Sequence, residues 1–145
     1  MTTLPLRRIT ITNFRRLGGT WDIPLDAPVV LIHGPNGTGK TSILSAIEMA
    51  LTGQVRSMKR LDERYTAHLP HRGAAFATLG VATAGLDGAL LDHERLTVAG
   101  DRVEGMPALD AVAAQFFSER AFLDQASLGR LLELYQHAER NQESS

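Results

Sequence analysis

Residues 34–41, Gly34-Pro35-Asn36-Gly37-Thr38-Gly39-Lys40-Thr41, constrain the fold more than any other stretch of the chain. They match G-x-x-x-x-G-K-[ST] at every defined position, and that pattern carries meaning only between a strand and a helix. Both are predicted. Val29-Val30-Leu31-Ile32 is a continuous apolar run of the kind expected for a strand buried on both faces. From Thr41 onward, Ile43, Leu44, Ile47 and Leu51 recur at helical spacing, and Gly53 stands where a C-terminal cap is wanted. The residue types then dictate a chemistry. Gly34, Gly37 and Gly39 permit dihedrals and a close approach that a Cβ forbids, so successive backbone N–H groups can surround an anion. The helix adds the positive end of its dipole at the same point. Asn36 and Thr38 complete the loop, Lys40 is placed to reach the β- and γ-phosphates of ATP, Thr41 to offer its hydroxyl to Mg²⁺, and Ser42 to donate on the α-phosphate side.

Composition sets the frame for that loop. The 145 residues, 43% of them hydrophobic, suffice for a single core without disulfide or metal staples. The chain has no cysteine, which excludes a thiolate metal site and a cysteine nucleophile. Its five histidines, His33, His68, His71, His93 and His137, show no ligand spacing on one helix face. A formal net charge of -1 argues against a wholly basic nucleic-acid coat and leaves room for a local basic patch. No apolar run approaches the ~20 residues of a membrane span, and the start MTTLPLRR lacks the apolar core of a signal peptide, so a cytoplasmic location is expected. Only Lys40 and Lys59 among the 15 basic residues are lysines, which singles out the one in the loop.

The remaining elements follow from period and punctuation. Leu6 to Phe14 alternates, with Ile9 and Ile11 on one face and Arg8, Thr10 and Thr12 on the other, and predicts a half-exposed strand. After Gly18-Gly19, Thr20 to Ile23 predicts a short return strand. The polar stretch 54–73 reads as a loop or short irregular helix, and its Arg56, Lys59, Arg60 and Arg64 suit either a solvated loop or DNA-backbone contact. Residues 74–104 predict a β meander with turns at Gly85, Asp87-Gly88 and Gly100-Asp101. Asp92, His93, Glu94 and Arg95 read as part of a meander strand that continues into Leu96-Thr97-Val98. Pro107 is placed for the first turn of a helix through Phe117. Ser127 is placed to cap a last helix with an apolar stripe at Leu128, Leu131, Leu132 and Tyr135.

Two strands and 33 residues before the loop are unlike small nucleotide kinases, and the guanine-reading Asn-Lys-x-Asp of GTPases is missing. The segments Ile11-Thr12-Asn13-Phe14-Arg15, Ile32-His33-Gly34-Pro35-Asn36-Gly37-Thr38-Gly39-Lys40-Thr41-Ser42 and Leu44-Ser45-Ala46-Ile47 together resemble the amino-terminal lobe of SMC-like ABC ATPase heads. That family includes SbcC with its double-strand-break repair counterparts, RecF and RecN. The resemblance implies an α/β P-loop NTPase lobe with an antiparallel meander and C-terminal helices, one domain over 1–145. Within it, 1–53 would hold the strands, P-loop and first helix, 54–105 the basic loop and meander, and 106–145 a helical segment with a Q-loop glutamine. Arg15 would then lie against the phosphates. Gln125, in Phe122-Leu123-Asp124-Gln125, would touch Mg²⁺ and the attacking water, with Gln115 as a competitor. The Tyr65-Thr66-Ala67-His68 stretch would border the base and ribose. Hydrolysis would need a complementary lobe or second head supplying an Asp-Glu strand and a Ser-Gly-Gly signature, neither of which occurs here; Asp92 and Glu94 only echo the former. A nucleotide-dependent dimer, DNA, a nuclease subunit and a role in DNA repair or genome maintenance are further implications. An ATP-binding module without turnover and a small-molecule kinase stand as alternatives.

Overall fold

The computed structural model describes residues 6–85, 87–121, 133, 134, 136–138 and 140. The expected contact of Gln125, the Ser127 cap and the apolar stripe of Leu128, Leu131, Leu132 and Tyr135 lie outside these residues.

Strand β1 (Leu6–Phe14) keeps the predicted alternation, with Ile9 and Ile11 fully buried and Arg8 exposed. It is flanked by a strand on each side. β2 (Leu17–Pro24) returns antiparallel to it, pairing Ile9 with Ile23 and Ile11 with Trp21. On its other side β1 pairs antiparallel with β3 (Ala77–Ala84), opposing Ile9 to Val81 and Ile11 to Leu79. β5 (Leu96–Ala99) and β6 (Arg102–Glu104) complete the order β2-β1-β3-β5-β6, and β4 (Leu90–Asp92) pairs the far end of β3. The meander strand expected to run through His93 is thus interrupted. β4 and β5 both lie along β3, but their registers differ by one residue, and His93–Arg95 form the irregular link between them.

Helix α1 (Lys40–Thr52) covers one face of this sheet. Its buried residues are Ser42, Ser45, Ala46, Glu48, Met49, Ala50 and Leu51, while Ile43 and Ile47 pack only partly and Leu44 is 55% exposed. Ser42, Ser45, Ala46 and Ala50 bring the helix close to the strands, Met49 and Leu51 fill the core beside them, and Ile43, Leu44 and Ile47 are turned toward its flanks. Gly53 ends α1 in the left-handed region, its N–H bonded to Met49 O. The last carbonyls of the helix find partners further along the chain: Ala108 N donates to Ala50 O and Leu109 N to Leu51 O. This explains why Pro107 does not open a helix as predicted. Residues 107–109 are spent satisfying α1, and α3 (Ala111–Arg120) begins only after Asp110, whose Oδ1 accepts from Ala113 N at 2.8 Å.

Between α1 and β3 the chain forms a four-residue helix, α2 (Arg56–Lys59), and a 3-10 turn at Tyr65–His68. Tyr65 is buried, and its hydroxyl oxygen accepts from Val55 N at 3.1 Å, while Glu48 Oε1 accepts from Arg56 N. Replacing Tyr65 by phenylalanine leaves a buried N–H without that acceptor and is expected to cost about 1–3 kcal/mol in chemical denaturation. Burial first, and the nearby Glu48 charge second, raise the Tyr65 pKa against the opposing pull of the Val55 N–H. The folded chain therefore holds this proton more tightly than the unfolded one. Its contribution is complete below about pH 10, where an unfolded tyrosine begins to ionise, and is lost as pH rises through the folded pKa. The stability gap between wild type and Tyr65→Phe should narrow above about pH 10.

Val29–Ile32 departs most from expectation. These residues join no strand among those described, and Val29 and Leu31 are 83% and 81% exposed. A run of apolar residues becomes a buried strand only when neighbouring strands flank it, and the described sheet grows from β1 in directions that leave this run uncovered.

Candidate functional site

The site is built where the β1–β2 turn meets the loop entering α1. Asn13 and Arg15 both have φ of 50, a left-handed conformation that costs a non-glycine residue of order 1 kcal/mol. The surroundings enforce it. Asn13 Oδ1 accepts from Gly19 N at 2.8 Å, Arg15 N donates to Leu69 O at 2.6 Å, and His71 N donates to Asn13 O at 2.7 Å. His71 Nδ1 also lies 2.7 Å from Arg15 O, and since a carbonyl only accepts, that nitrogen carries the proton. A Cβ on Gly18 would come within 2.8 Å of His71 Nε2, so glycine there makes room for the clamp.

Once fixed, the turn sends its two arginines different ways. Arg15 Nη1 donates to Ser45 Oγ at 2.8 Å, one turn into α1. Burial, with the charge of Arg16 adding to it, lowers the Arg15 pKa from its ordinary value. Arg16 is exposed, and its Nη1 donates to Gly37 O at 3.2 Å while its backbone N–H donates to Ser42 Oγ at 3.3 Å. Leu17 follows beneath the loop, and a Cβ on Gly39, whose φ is 106, would meet Leu17 Cδ2 at 2.9 Å.

The loop itself is internally braced. Thr38 Oγ1 donates to Pro35 O at 2.7 Å, and Lys40 Nζ folds back onto Gly34 O. Asn36, Gly37, Thr38 and Thr41 are exposed. Gly39 caps α1 without a side-chain hydrogen bond, and the first turn of the helix carries no acidic residue. Unfilled N–H groups, the helix dipole and a lysine therefore converge on one point, an arrangement that binds an anion.

The AAA domain family matches residues 8–82, just over half of the chain and the whole of this arrangement. The chain belongs to the AAA domain family. Curated relatives agree with that placement. It is 32% identical over 111 residues to the DNA replication and repair protein RecF of Shewanella denitrificans, covering 73% of this chain and 30% of that protein. It is 39% identical over 46 residues to the chromosome partition protein Smc of a Synechococcus strain, covering 32% of this chain and 4% of that protein. Among solved structures, the recombination mediator protein RecF with ATP superposes with a TM-score of 0.54 at 21% identity, over 71% of this chain and 27% of that one. The resemblance to an SMC- and RecF-like ATPase lobe is thereby borne out, as is the P-loop α/β fold. The chain spans less than a third of the length of each of these proteins.

Within this AAA domain, Gly34, Asn36, Gly37, Thr38, Gly39, Lys40, Thr41 and Ser42 are gathered at the α1 N-terminus. Arg15 reaches the same helix but is directed to Ser45, and Arg16, which has no role in the sequence-based expectations, lies across the loop. Its signal was its place directly after the Asn-Phe-Arg turn. Gln115 lies beside Thr52, Gln54 and Arg56, at the opposite end of a helix roughly 18 Å long. Asp92 shares a groove with Arg8, Thr10, His93 and Arg95 on the sheet face turned away from α1. Arg56 Nη1 donates to Ser118 O, and Lys59 Nζ to Gln54 Oε1, so two of the four basic residues of 54–73 singled out above have contacts within the fold. No group of three potential metal-ligating His, Asp or Glu residues occurs among the described residues, nor is any described helix long and apolar enough to cross a membrane.

Proposed function

We propose that this chain is the ATP–Mg²⁺-binding amino-terminal lobe of an SMC- and RecF-like ATPase head, acting in the cytoplasm in DNA repair or genome maintenance. The observation that carries the reading is the uncapped α1 N-terminus enclosed by the Gly34–Thr41 loop, with Lys40 at its rim. The loop N–H groups and Lys40 bind and orient the triphosphate, and the β1–β2 turn closes the site from the side of the sheet. Magnesium fits this donor set as it usually fits phosphate sites, with one hydroxyl and the rest from phosphates and water. Thr41, exposed beside Lys40, would hold it, together with Gln125. When bound, the ion would supply charge neutralisation for attack of water on the γ-phosphate.

Turnover is proposed to require a complementary carboxyl-terminal lobe or a second head. The support lies in Val29–Ile32: an apolar run leading into the loop, with Val29, Val30 and Leu31 exposed and no ladder partner among the described residues. Exposed apolar side chains of this kind favour being covered, and strand pairing with an added lobe would cover them on both faces. The names of the Smc and RecF relatives support a DNA-linked role for the assembled protein. Steady-state hydrolysis by the purified chain, alone and with a carboxyl-terminal ATPase lobe added as a second polypeptide, tests the proposal. ATP binding alone with turnover only in the mixture is expected. Turnover by the isolated chain would remove the need for a second lobe, and absence of ATP binding at millimolar concentration would sink the nucleotide reading itself.

A further inference from the structure

The geometry points to Arg16 as a second cationic contact to the phosphate chain of the bound nucleotide, held ready across the mouth of the loop by its bond to Gly37 O. This rests on the nucleotide reading above and assigns a residue that the sequence did not single out. Three observations converge on it. The first is position. Arg16 Nη1 lies 3.2 Å from Gly37 O and 3.4 Å from where a Gly37 Cβ would stand, so the guanidinium sits against the middle of the anion-binding loop. The backbone of the same residue donates to Ser42 Oγ in the first turn of α1, which ties the start of the side chain to the site as well.

The second is direction. Arg15 and Arg16 are neighbours, yet only one is free to face a ligand. Arg15 is half-buried and committed to Ser45 Oγ, where it straps the turn to α1. Arg16 is exposed and gives the protein a single side-chain bond to a carbonyl that is itself exposed. Its remaining N–H groups are available, and a planar fork suits phosphate oxygens.

The third is charge. Arg15, Arg16 and Lys40 stand around one uncapped helix N-terminus, and none of them is in an ion pair with a carboxylate among the described residues. The ion pairs that do form lie elsewhere, at Arg8–Asp22, His68–Asp62 and Arg120–Glu119. Arg16 and Lys40 each bond a carbonyl of the same loop, Gly37 O and Gly34 O, so cationic groups without a counter-charge share this end of α1, and an anion of more than one negative charge relieves their repulsion. A di- or triphosphate meets the requirement.

The test uses the full chain, isothermal titration and two probes, ADP and inorganic pyrophosphate, with thermal unfolding as a control. Arg16→Gln keeps a polar, hydrogen-bonding side chain but removes the charge; Arg16→Lys keeps the charge and loses the fork. For Arg16→Gln a loss of about tenfold or more is expected for both probes, in line with a charged hydrogen bond. Arg16→Lys should recover part of that loss, and the dependence of affinity on salt should be shallower for Arg16→Gln than for wild type. The melting temperature should stay near that of wild type, since the residue is exposed. Unchanged affinity in Arg16→Gln would overturn the inference and leave Arg16 as a latch on the empty loop. Weakened ADP binding with unchanged pyrophosphate binding would also overturn it, by placing the contact at the base or ribose. Failure of the wild-type chain to bind either probe would instead refute the nucleotide site as a whole.

Discussion

Lys40→Ala is expected to weaken ATP binding by roughly 10- to 100-fold without unfolding the protein. The size follows from the worth of a charged hydrogen bond, about 1.5–3 kcal/mol, which each tenfold step in affinity converts at about 1.4 kcal/mol. The absence of a folding defect follows from what Lys40 touches. Its ammonium group is bonded to Gly34 O, a carbonyl of its own loop, and no buried carboxylate depends on it for charge balance among the described residues. Removing it leaves Gly34 O able to bond water. The loop keeps its shape through other contacts, namely Thr38 Oγ1 to Pro35 O, and Gly39 against Leu17. Titration of ATP–Mg²⁺ into wild type and variant, with circular dichroism to compare helix content, checks both halves. Equal affinity in the two proteins would show that the loop does not hold phosphate. A collapse of helix content in the variant would show that Lys40 is structural.

How legible all this was in the sequence depended on how local the controlling interactions were. The loop was readable because glycine spacing, a lysine and a following helix are all encoded within about 20 residues, and the structure delivers them with Gly39 and Gly53 at the two ends of α1. β1 was readable because alternation is local, and the matching registers of β2 and β3 keep Ile9 and Ile11 inside. Val29–Ile32 was misread because its burial is not a local property: four apolar residues specify a strand but not the strands beside it. Pro107 was misread for a related reason. The N–H groups of Ala108 and Leu109 are claimed by the end of α1, more than 50 residues earlier, and local propensity contains no trace of that demand. Arg16 was passed over because two adjacent arginines look equivalent in a sequence. Only the left-handed backbone at Arg15, imposed through Leu69 and His71, separates one directed into the helix from one laid over the loop.

That dependence on residues 69–71 makes Phe14 the most consequential core position. Phe14 is fully buried at the end of β1, pairs with Leu17 across the turn, and forms an isolated bridge with Pro70. It lies between the two left-handed residues Asn13 and Arg15. Truncating it to alanine should cost about 3–5 kcal/mol, the usual penalty for removing a buried aromatic ring. That is a large share of the ~5–15 kcal/mol that holds a domain together. Urea unfolding followed by the fluorescence of the lone tryptophan, Trp21 on β2, measures the loss. A second consequence separates Phe14 from other core residues. Phe14 is buried in the core cluster with Leu17 and Leu69 and its backbone bridges Pro70, so it anchors the turn that sets Arg15 on Ser45 and Arg16 on Gly37. Phe14→Ala should therefore weaken nucleotide binding in the fraction that remains folded. Val98→Ala, an equally buried change in β5, should lower stability and leave the affinity of the folded fraction unchanged. If both variants bind nucleotide as well as wild type once corrected for the folded fraction, the turn contributes packing alone. If only Phe14→Ala loses affinity, the hydrophobic core reaches the phosphate site through this ring.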